Sequence, residues 1–549
     1  MTDYHSTPAP SNSRSTRVLA DYAVRVQRDS AQAARAALLA ALAGAAEQDW
    51  LDCARQLVLR DDRDGAEALL AGALGEYPQS VELRRVLAGI YLQTQRGTQA
   101  EPVLRELLTQ HPDDAGAAFA LARMLKDEGR MSAAAAVMRA CFEHGRHDTE
   151  LAIQAIELLD DCGRKQDAAA IAEHAIAVSP HDPRLYAYAG MLEVQLGEFE
   201  RARQRYIFAL EHSPQACEWH VPYGMASAQR YASDAHPDFH LFGECLLRTD
   251  LSDKARASLL FALGKAHDDV GDYAQAARYF RQANALAHAL TKWTRKPWRR
   301  AVEARLAAHP YSHRLGPSHD FVPVFVVGMP RSGTTLVAEL LSRYPGVCNR
   351  GELPWLATLA QQSTLAGDPS RAELERAAAT YVAQARQDDS EARWFIDKQP
   401  LNFRYVGLML ALWPNARIIH TRRSERDTAL SLWMQSFTEE VQGYAYDFAD
   451  MAVVMRDCDR LMTHWRKWYA ASIYTVHYEQ LVADPKSTIA DAAAWLGLPA
   501  ADATMAPDKP ASTISTASLW QARQPVYTRS VERWRNYAPY VPELLKFPA

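Results

Sequence analysis

Three things are scarce in this chain of 549 residues: paired cysteines, net charge and long apolar runs. The seven cysteines (Cys53, Cys141, Cys162, Cys217, Cys245, Cys348 and Cys458) are scattered with no CxxC pair, so their spacing indicates neither a zinc site nor a disulfide framework. A net charge of -5 and an isoelectric point near 6.4 give no global reason to expect nucleic acid or an anionic membrane as partner. Near the start, the longest apolar run, Ala36 to Ala46, has about eleven residues and is too short to cross a bilayer. The opening MTDYHSTPAPSNSRSTR is polar and lacks an apolar centre, so it reads as a disordered tail rather than a signal peptide. These absences predict a cytoplasmic protein with reduced cysteines and no membrane span.

A further absence is local. The stretch Phe325-Val326-Val327-Gly328-Met329-Pro330-Arg331-Ser332-Gly333-Thr334-Thr335-Leu336 runs from an apolar strand through a turn into a helical pattern, the layout of a phosphate loop. Its spacing is G-x-x-x-x-G-T-T, with Thr334 where a nucleoside triphosphatase carries lysine. That lysine serves the β- and γ-phosphates, so its loss argues against ATP or GTP chemistry. Backbone N–H groups at the helix start still bind an anion, and Arg331 adds a forked, permanently charged donor.

PRSGTTL after an apolar strand resembles the 5′-phosphosulfate loop of sulfotransferases that use 3′-phosphoadenosine 5′-phosphosulfate (PAPS), especially the tyrosylprotein sulfotransferase-like branch. The resemblance implies that Arg331, Ser332, Gly333, Thr334 and Thr335 hold the cofactor. A second motif supports it. The strand-to-helix stretch Ala416 to Trp433 carries Arg423, Asp427 and Ser431 at the family's R-x-x-x-D-x-x-x-S spacing, whose arginine and serine bind the 3′-phosphate. Ser424 and Asp427 in the same turn are also spaced like a capping box.

Other segments match in order. Arg350-Gly351-Glu352 follows what reads as a turn, and an acidic residue there either complements a helix dipole or, by the resemblance, is Glu352, the base that takes the acceptor proton. Asp397-Lys398-Gln399-Pro400-Leu401-Asn402 ends a buried strand, and the resemblance gives Lys398 a contact with the transferring sulfuryl group. Tyr478-Glu479-Gln480-Leu481 through Asp484-Pro485 matches a strand-to-helix segment whose tyrosine, here Tyr478, lies near the adenine. Ser518 maps onto a serine that contacts the sulfuryl group. Arg529 falls in a closing basic and aromatic run, which lacks the R-K-G-x-x-G-D-W-K string of the cytosolic branch.

The first half has a different period. Pro78, Pro112, Pro180 and Pro214 are spaced by 34, 68 and 34 residues, the tetratricopeptide (TPR) interval. In one frame the small positions recur as Ala88 and Ala100, Ala122 and Ala134, Gly190 and Ala202, giving five units from about 47 to 214. A further unit restarts near Ala257 with Gly264 and Phe280, after an irregular stretch from Pro214 to Lys254 that reads as a degenerate unit with an insertion. Trp293 and Trp298, beyond it, could close the end of the array. Such an array serves as a docking surface for a protein, peptide or other macromolecular acceptor, or only scaffolds its neighbour.

The expected fold is an α-solenoid of TPR units plus an α/β, P-loop-like parallel-sheet sulfotransferase domain. The expected limits are a tail and lead-in helix over 1–40, the solenoid over 41–290, a linker over 291–318 and the sulfotransferase domain over 319–549. By the resemblance the chain moves a sulfuryl group from PAPS to a hydroxyl without a metal, with Glu352, Lys398, Ser518 and Arg331 catalytic. Arg331, Ser332, Gly333, Thr334, Thr335, Arg423, Ser431, Tyr478 and Arg529 are expected to bind the cofactor. A non-catalytic TPR adaptor that merely holds a nucleotide is the alternative.

Overall fold

The computed structural model describes residues 14–365, 367–437, 440–499 and 528–548. Ser518 and most of the expected N-terminal tail lie outside them. The chain divides into two compact units, one of residues 1–127 with 133–147 and the other of 128–132 with 148–549.

Helical hairpins recur at the predicted interval. Ahead of them stand two helices rather than a single lead-in, α1 (Arg14–Arg28) and α2 (Ala31–Leu42). The pairs are α3 and α4 (Glu47–Leu59, Arg63–Glu76), α5 and α6 (Val81–Gln93, Gly97–Gln110), and α7 and α8 (Ala115–Asp127, Met131–His144). They continue with α9 and α10 (Thr149–Asp161, Lys165–Val178) and α11 and α12 (Pro183–Leu196, Phe199–His212). Aspartate or serine caps start many of these helices: Asp62, Ser80, Asp148 and Asp182 each accept a backbone N–H from the first turn. In the first unit, Leu38, Trp50, Leu57, Leu69 and Leu83 share one apolar core.

In the second unit the irregular stretch forms two short helices, α13 (Val221–Ser227) and α14 (Pro237–Leu247), before the last repeat, α15 (Asp253–Asp269) and α16 (Tyr273–Leu290). The segment from 291 to 318 holds a further helix, α17 (Arg295–Ala307). Its Trp298 is buried, edge-on to Phe403, and donates its indole N–H to Asp457 at 3.0 Å.

The sheet contains five parallel strands in the order β2-β3-β1-β4-β5: β1 (Val322–Gly328), β2 (Val347–Asn349), β3 (Trp394–Asp397), β4 (Arg417–Arg422) and β5 (Ile473–His477). β1 lies at its centre and is buried on both faces, which explains its unbroken apolar sequence. Val324 and Val326 face Ile419, Val476 and Ile489, whereas Phe325 and Val327 face a core that continues into the last repeat through Phe261 and Phe280. The stretch expected as a turn before Arg350 contains the edge strand β2. Three residues are too few to show a period, and pairing with β3 decides their conformation.

The remaining helices cover the sheet: α18 (Thr334–Leu341), α19 (Trp355–Ala360), α20 (Arg371–Arg386), α21 (Val406–Leu412), α22 (Glu425–Trp433), α23 (Phe448–Tyr469), α24 (Tyr478–Ala483), α25 (Pro485–Leu496) and α26 (Trp534–Tyr537). Because every strand runs the same way, all five carboxyl ends reach one edge of the sheet. Among the described residues no helix is long and apolar enough to cross a membrane.

Candidate functional site

Each strand end at that edge delivers one expected residue or group of residues. β1 leads into the glycine loop, β2 into Glu352, β3 into Lys398, β4 into Arg423 and β5 into Tyr478.

The loop can form only with glycine at both ends of its spacing. At Gly328, φ is 148°, and a Cβ would stand 2.5 Å from the Thr421 carbonyl oxygen of the neighbouring strand. At Gly333, φ is 97°, and a Cβ would stand 2.6 Å from the Tyr478 ring. Between them Arg331 takes the left-handed conformation at φ 72°, strained for a residue with a side chain. Hydrogen bonds hold it there. Arg331 Nε donates to Ser431 Oγ at 3.0 Å, and its carbonyl accepts from Arg423 Nη1 at 2.9 Å. Ser332 is buried, and its hydroxyl lies 2.6 Å from both the Met329 carbonyl oxygen and Thr421 Oγ1, so only its backbone faces the loop interior. Thr334 opens α18 behind Gly333, with no side chain capping the helix.

Arg423 ties the loop to the C-terminal segment. Its Nη2 donates to the Ser530 carbonyl at 2.7 Å, its guanidinium stacks 4.6 Å from the Tyr478 ring centre, and the Tyr478 hydroxyl lies 2.6 Å from Ser530 Oγ. Arg331, Ser431, Arg423 and Tyr478 thus form one connected set, which Ser530 completes. Arg529 is exposed on the turn before Ser530. Arg423 Nε and Ser424 Oγ are buried, yet neither has a hydrogen-bond partner among the described residues.

The capping box expected at Ser424 and Asp427 does not form. Ser424 makes no side-chain cap bond, and the buried Asp427 carboxylate instead accepts from the backbone N–H groups of Glu532 at 2.8 Å and Trp534 at 3.0 Å. The Ser424 backbone N–H that the box would need donates instead to Glu479 Oε1 at 2.9 Å. Burial raises the Asp427 pKa, against the pull of those amides and Arg423.

The second pair is Glu352 and Lys398. The buried Lys398 Nζ donates to Glu352 Oε1 in an ion pair, and the Lys398 backbone N–H donates to the Gly351 carbonyl at 2.7 Å. Gly351 itself has φ 66°, which turns the chain so that Glu352 meets the lysine. Behind the pair, Asp397 accepts from the Tyr381 hydroxyl at 2.7 Å, and burial pushes its pKa up to about 7.

One side chain at this edge has no sequence motif. Tyr223, on α13, is half-buried, and its hydroxyl accepts from the Ser436 backbone N–H at 3.4 Å. Burial raises its pKa, and the Arg331 charge works against that rise. Only the break in repeat register around α13 marks this segment as unusual.

Residues 323–502 match the family model described as the sulfotransferase family, and residues 57–125 and 257–287 match tetratricopeptide repeat models. An uncharacterized protein of Aquifex aeolicus is 31% identical over 327 residues, which are 55% of this chain and 43% of that protein. The chain therefore spans less than half the length of that relative. Protein-tyrosine sulfotransferase 1 of Danio rerio is 23% identical over 251 residues, 40% of this chain and 67% of that protein. Among solved structures, the sulfotransferase domain of the Synechococcus PCC 7002 olefin synthase is 21% identical, with 41% of this chain and 91% of that one covered and a TM-score of 0.31. Sulfotransferase STF1 of Mycobacterium tuberculosis H37Rv is 17% identical, with 58% and 99% covered and a TM-score of 0.25. This chain carries a domain of the sulfotransferase family, preceded by tetratricopeptide repeats.

Proposed function

We propose that the chain is a PAPS-dependent sulfotransferase that acts on a hydroxyl of a protein, peptide or other macromolecule docked by its repeats. The observation that carries this reading is the convergence of Arg331, Arg423, Ser431 and Tyr478 from three strand ends on a loop without the triphosphatase lysine. A phosphate-bearing cofactor fits these residues: buried Arg423 Nε and Ser424 Oγ have no partner among the described residues and are polar groups that an anion would satisfy.

When bound, PAPS supplies the sulfuryl group and leaves as adenosine 3′,5′-bisphosphate. Arg423 and Ser431 hold the 3′-phosphate, and the backbone N–H groups of 332–335 together with Arg331 hold the 5′ end. Tyr478 lines the adenine side. Glu352 takes the acceptor hydroxyl proton at a carboxylate oxygen, and Lys398 balances the charge that develops beside it. Ser518 and Arg529 belong to the same reading as further contacts, at the sulfuryl group and the 3′-phosphate end.

Calorimetric titration tests the cofactor. Adenosine 3′,5′-bisphosphate should bind and ATP should bind far more weakly; equal affinity for both would overturn the reading. Transfer of labelled sulfate from PAPS should then persist in excess chelator, and a strict magnesium requirement would count against it. Tight binding with no transfer to any macromolecular fraction would favour the adaptor.

A further inference from the structure

The irregular stretch between α12 and the last repeat brings two of the scattered cysteines together. Cys217 ends the short 3₁₀ turn Pro214–Cys217, Cys245 lies on α14, and their sulfurs are 2.7 Å apart across 28 residues of chain. That separation lies between the ~2.05 Å of a covalent S–S bond and the contact distance of two thiols. Both residues are buried, and the Arg248 guanidinium stands beside them, donating to the Pro214 carbonyl.

We propose that Cys217 and Cys245 are a redox modification site, a dithiol that a small-molecule disulfide such as oxidised glutathione converts to an intramolecular disulfide. The environment separates the roles of the two thiols. The hydrogen bond shared with Cys245 and the charge of Arg248 lower the Cys217 pKa, whereas the same contact and burial raise that of Cys245. Cys217 thiolate attacks one sulfur of oxidised glutathione, whose S–S bond breaks and releases one glutathione thiolate. Cys245 then loses its proton and attacks Cys217 Sγ, expelling the second glutathione as thiolate. The two cysteines give up two protons and two electrons, and the glutathione disulfide is reduced to two thiols. Burial makes the reaction depend on local opening, so it proceeds slowly in the folded chain.

The test uses the full chain, held for hours with oxidised glutathione, alkylated in denaturant, digested without reductant and mapped by mass spectrometry. The expected product joins the Cys217 and Cys245 peptides, while Cys53, Cys141, Cys162, Cys348 and Cys458 remain alkylated; dithiothreitol reverses the link. In Cys245→Ser the glutathione stays trapped on Cys217, and in Cys217→Ser little reaches Cys245. Alkylation of all seven cysteines after exposure, or a bridge through any other cysteine, would overturn the proposal. A trapped adduct on Cys245 rather than Cys217 would overturn the assigned order.

Discussion

Arg423 fastens the Arg331 and Ser530 carbonyls and stacks on Tyr478, and its buried Nε, without a partner among the described residues, is the donor that the proposed cofactor would meet. Arg423→Ala should weaken binding of adenosine 3′,5′-bisphosphate by about 2 kcal/mol, roughly 30-fold, while Arg423→Lys, which keeps charge but loses the fork, should fall between. Titration of both variants checks it; unchanged affinity would remove Arg423 from the site. Glu352→Gln should lower kcat by about 100-fold or more with nucleotide affinity within about twofold of the parent, since the role proposed for Glu352, a base, is needed only in the transfer step. Asp397 and His420 give the folded state opposite pH slopes. Burial raises Asp397 to about 7, so its stabilising contribution is complete below its ordinary pKa and declines as pH rises through 7, by at most about 4 kcal/mol. Burial lowers His420 to about 3, helped by Arg466 and Arg422, so its contribution is present above its ordinary value of 6.5 and is lost as pH falls. Urea unfolding at pH 4.5 and 7 should show Asp397→Asn gaining on the parent as pH rises, and His420→Gln losing ground. The arginine was legible because R-x-x-x-D-x-x-x-S fixes both spacing and residue type. Tyr223 was not, since a lone tyrosine in an irregular helix has no pattern to betray it.

The repeats show how one helix face sets the size of its partner. Gly190 and Gly264 each have a ring sixteen residues later, and a Cβ on them would stand 2.7 Å from Tyr206 and 2.6 Å from Phe280. Where the first position is Ala88 or Ala122, the later one is Leu104 or Met138, smaller than a ring. Gly264→Ala should therefore destabilise the second unit by about 1–3 kcal/mol through overpacking, and adding Phe280→Leu should recover part of that loss. Thermal unfolding of the single and double variants checks it, and strict additivity of the two changes would refute the pairing. This periodicity made the repeats readable before any coordinates. It failed between Pro214 and Lys254 for a physical reason: Asp238, buried, accepts from Arg203 at 2.7 and 2.8 Å, from Tyr231 at 2.7 Å and from Gln229 at 2.6 Å. A segment organised around a satisfied buried carboxylate has no apolar period to detect. The strands were legible in proportion to their burial, with β1 clear and the three-residue β2 taken for a turn.

At the scale of the whole molecule, the last repeat and the sheet share one apolar core, through Phe261, Phe280, Trp298 and Trp433. Deleting residues 1–112 should leave nucleotide binding near the parent value and lower transfer to a macromolecular acceptor, whereas deleting 1–255, which removes Tyr223 and α14, should lower both. Transfer to that acceptor that survives the deletions in a folded protein would show that the repeats only scaffold. The segment that completes the Arg423 site also reaches the last repeat: Arg533 pairs with Asp268, and the Tyr537 hydroxyl donates to the same carboxylate at 2.6 Å, across 269 residues. Helical hairpins close on neighbours tens of residues away, so they can assemble quickly, while a contact spanning half the chain must await most of the structure. In refolding, the helical signal should therefore return well before the ability to bind nucleotide. Between those two moments the chain already has its repeats but not yet the closed set around Arg423.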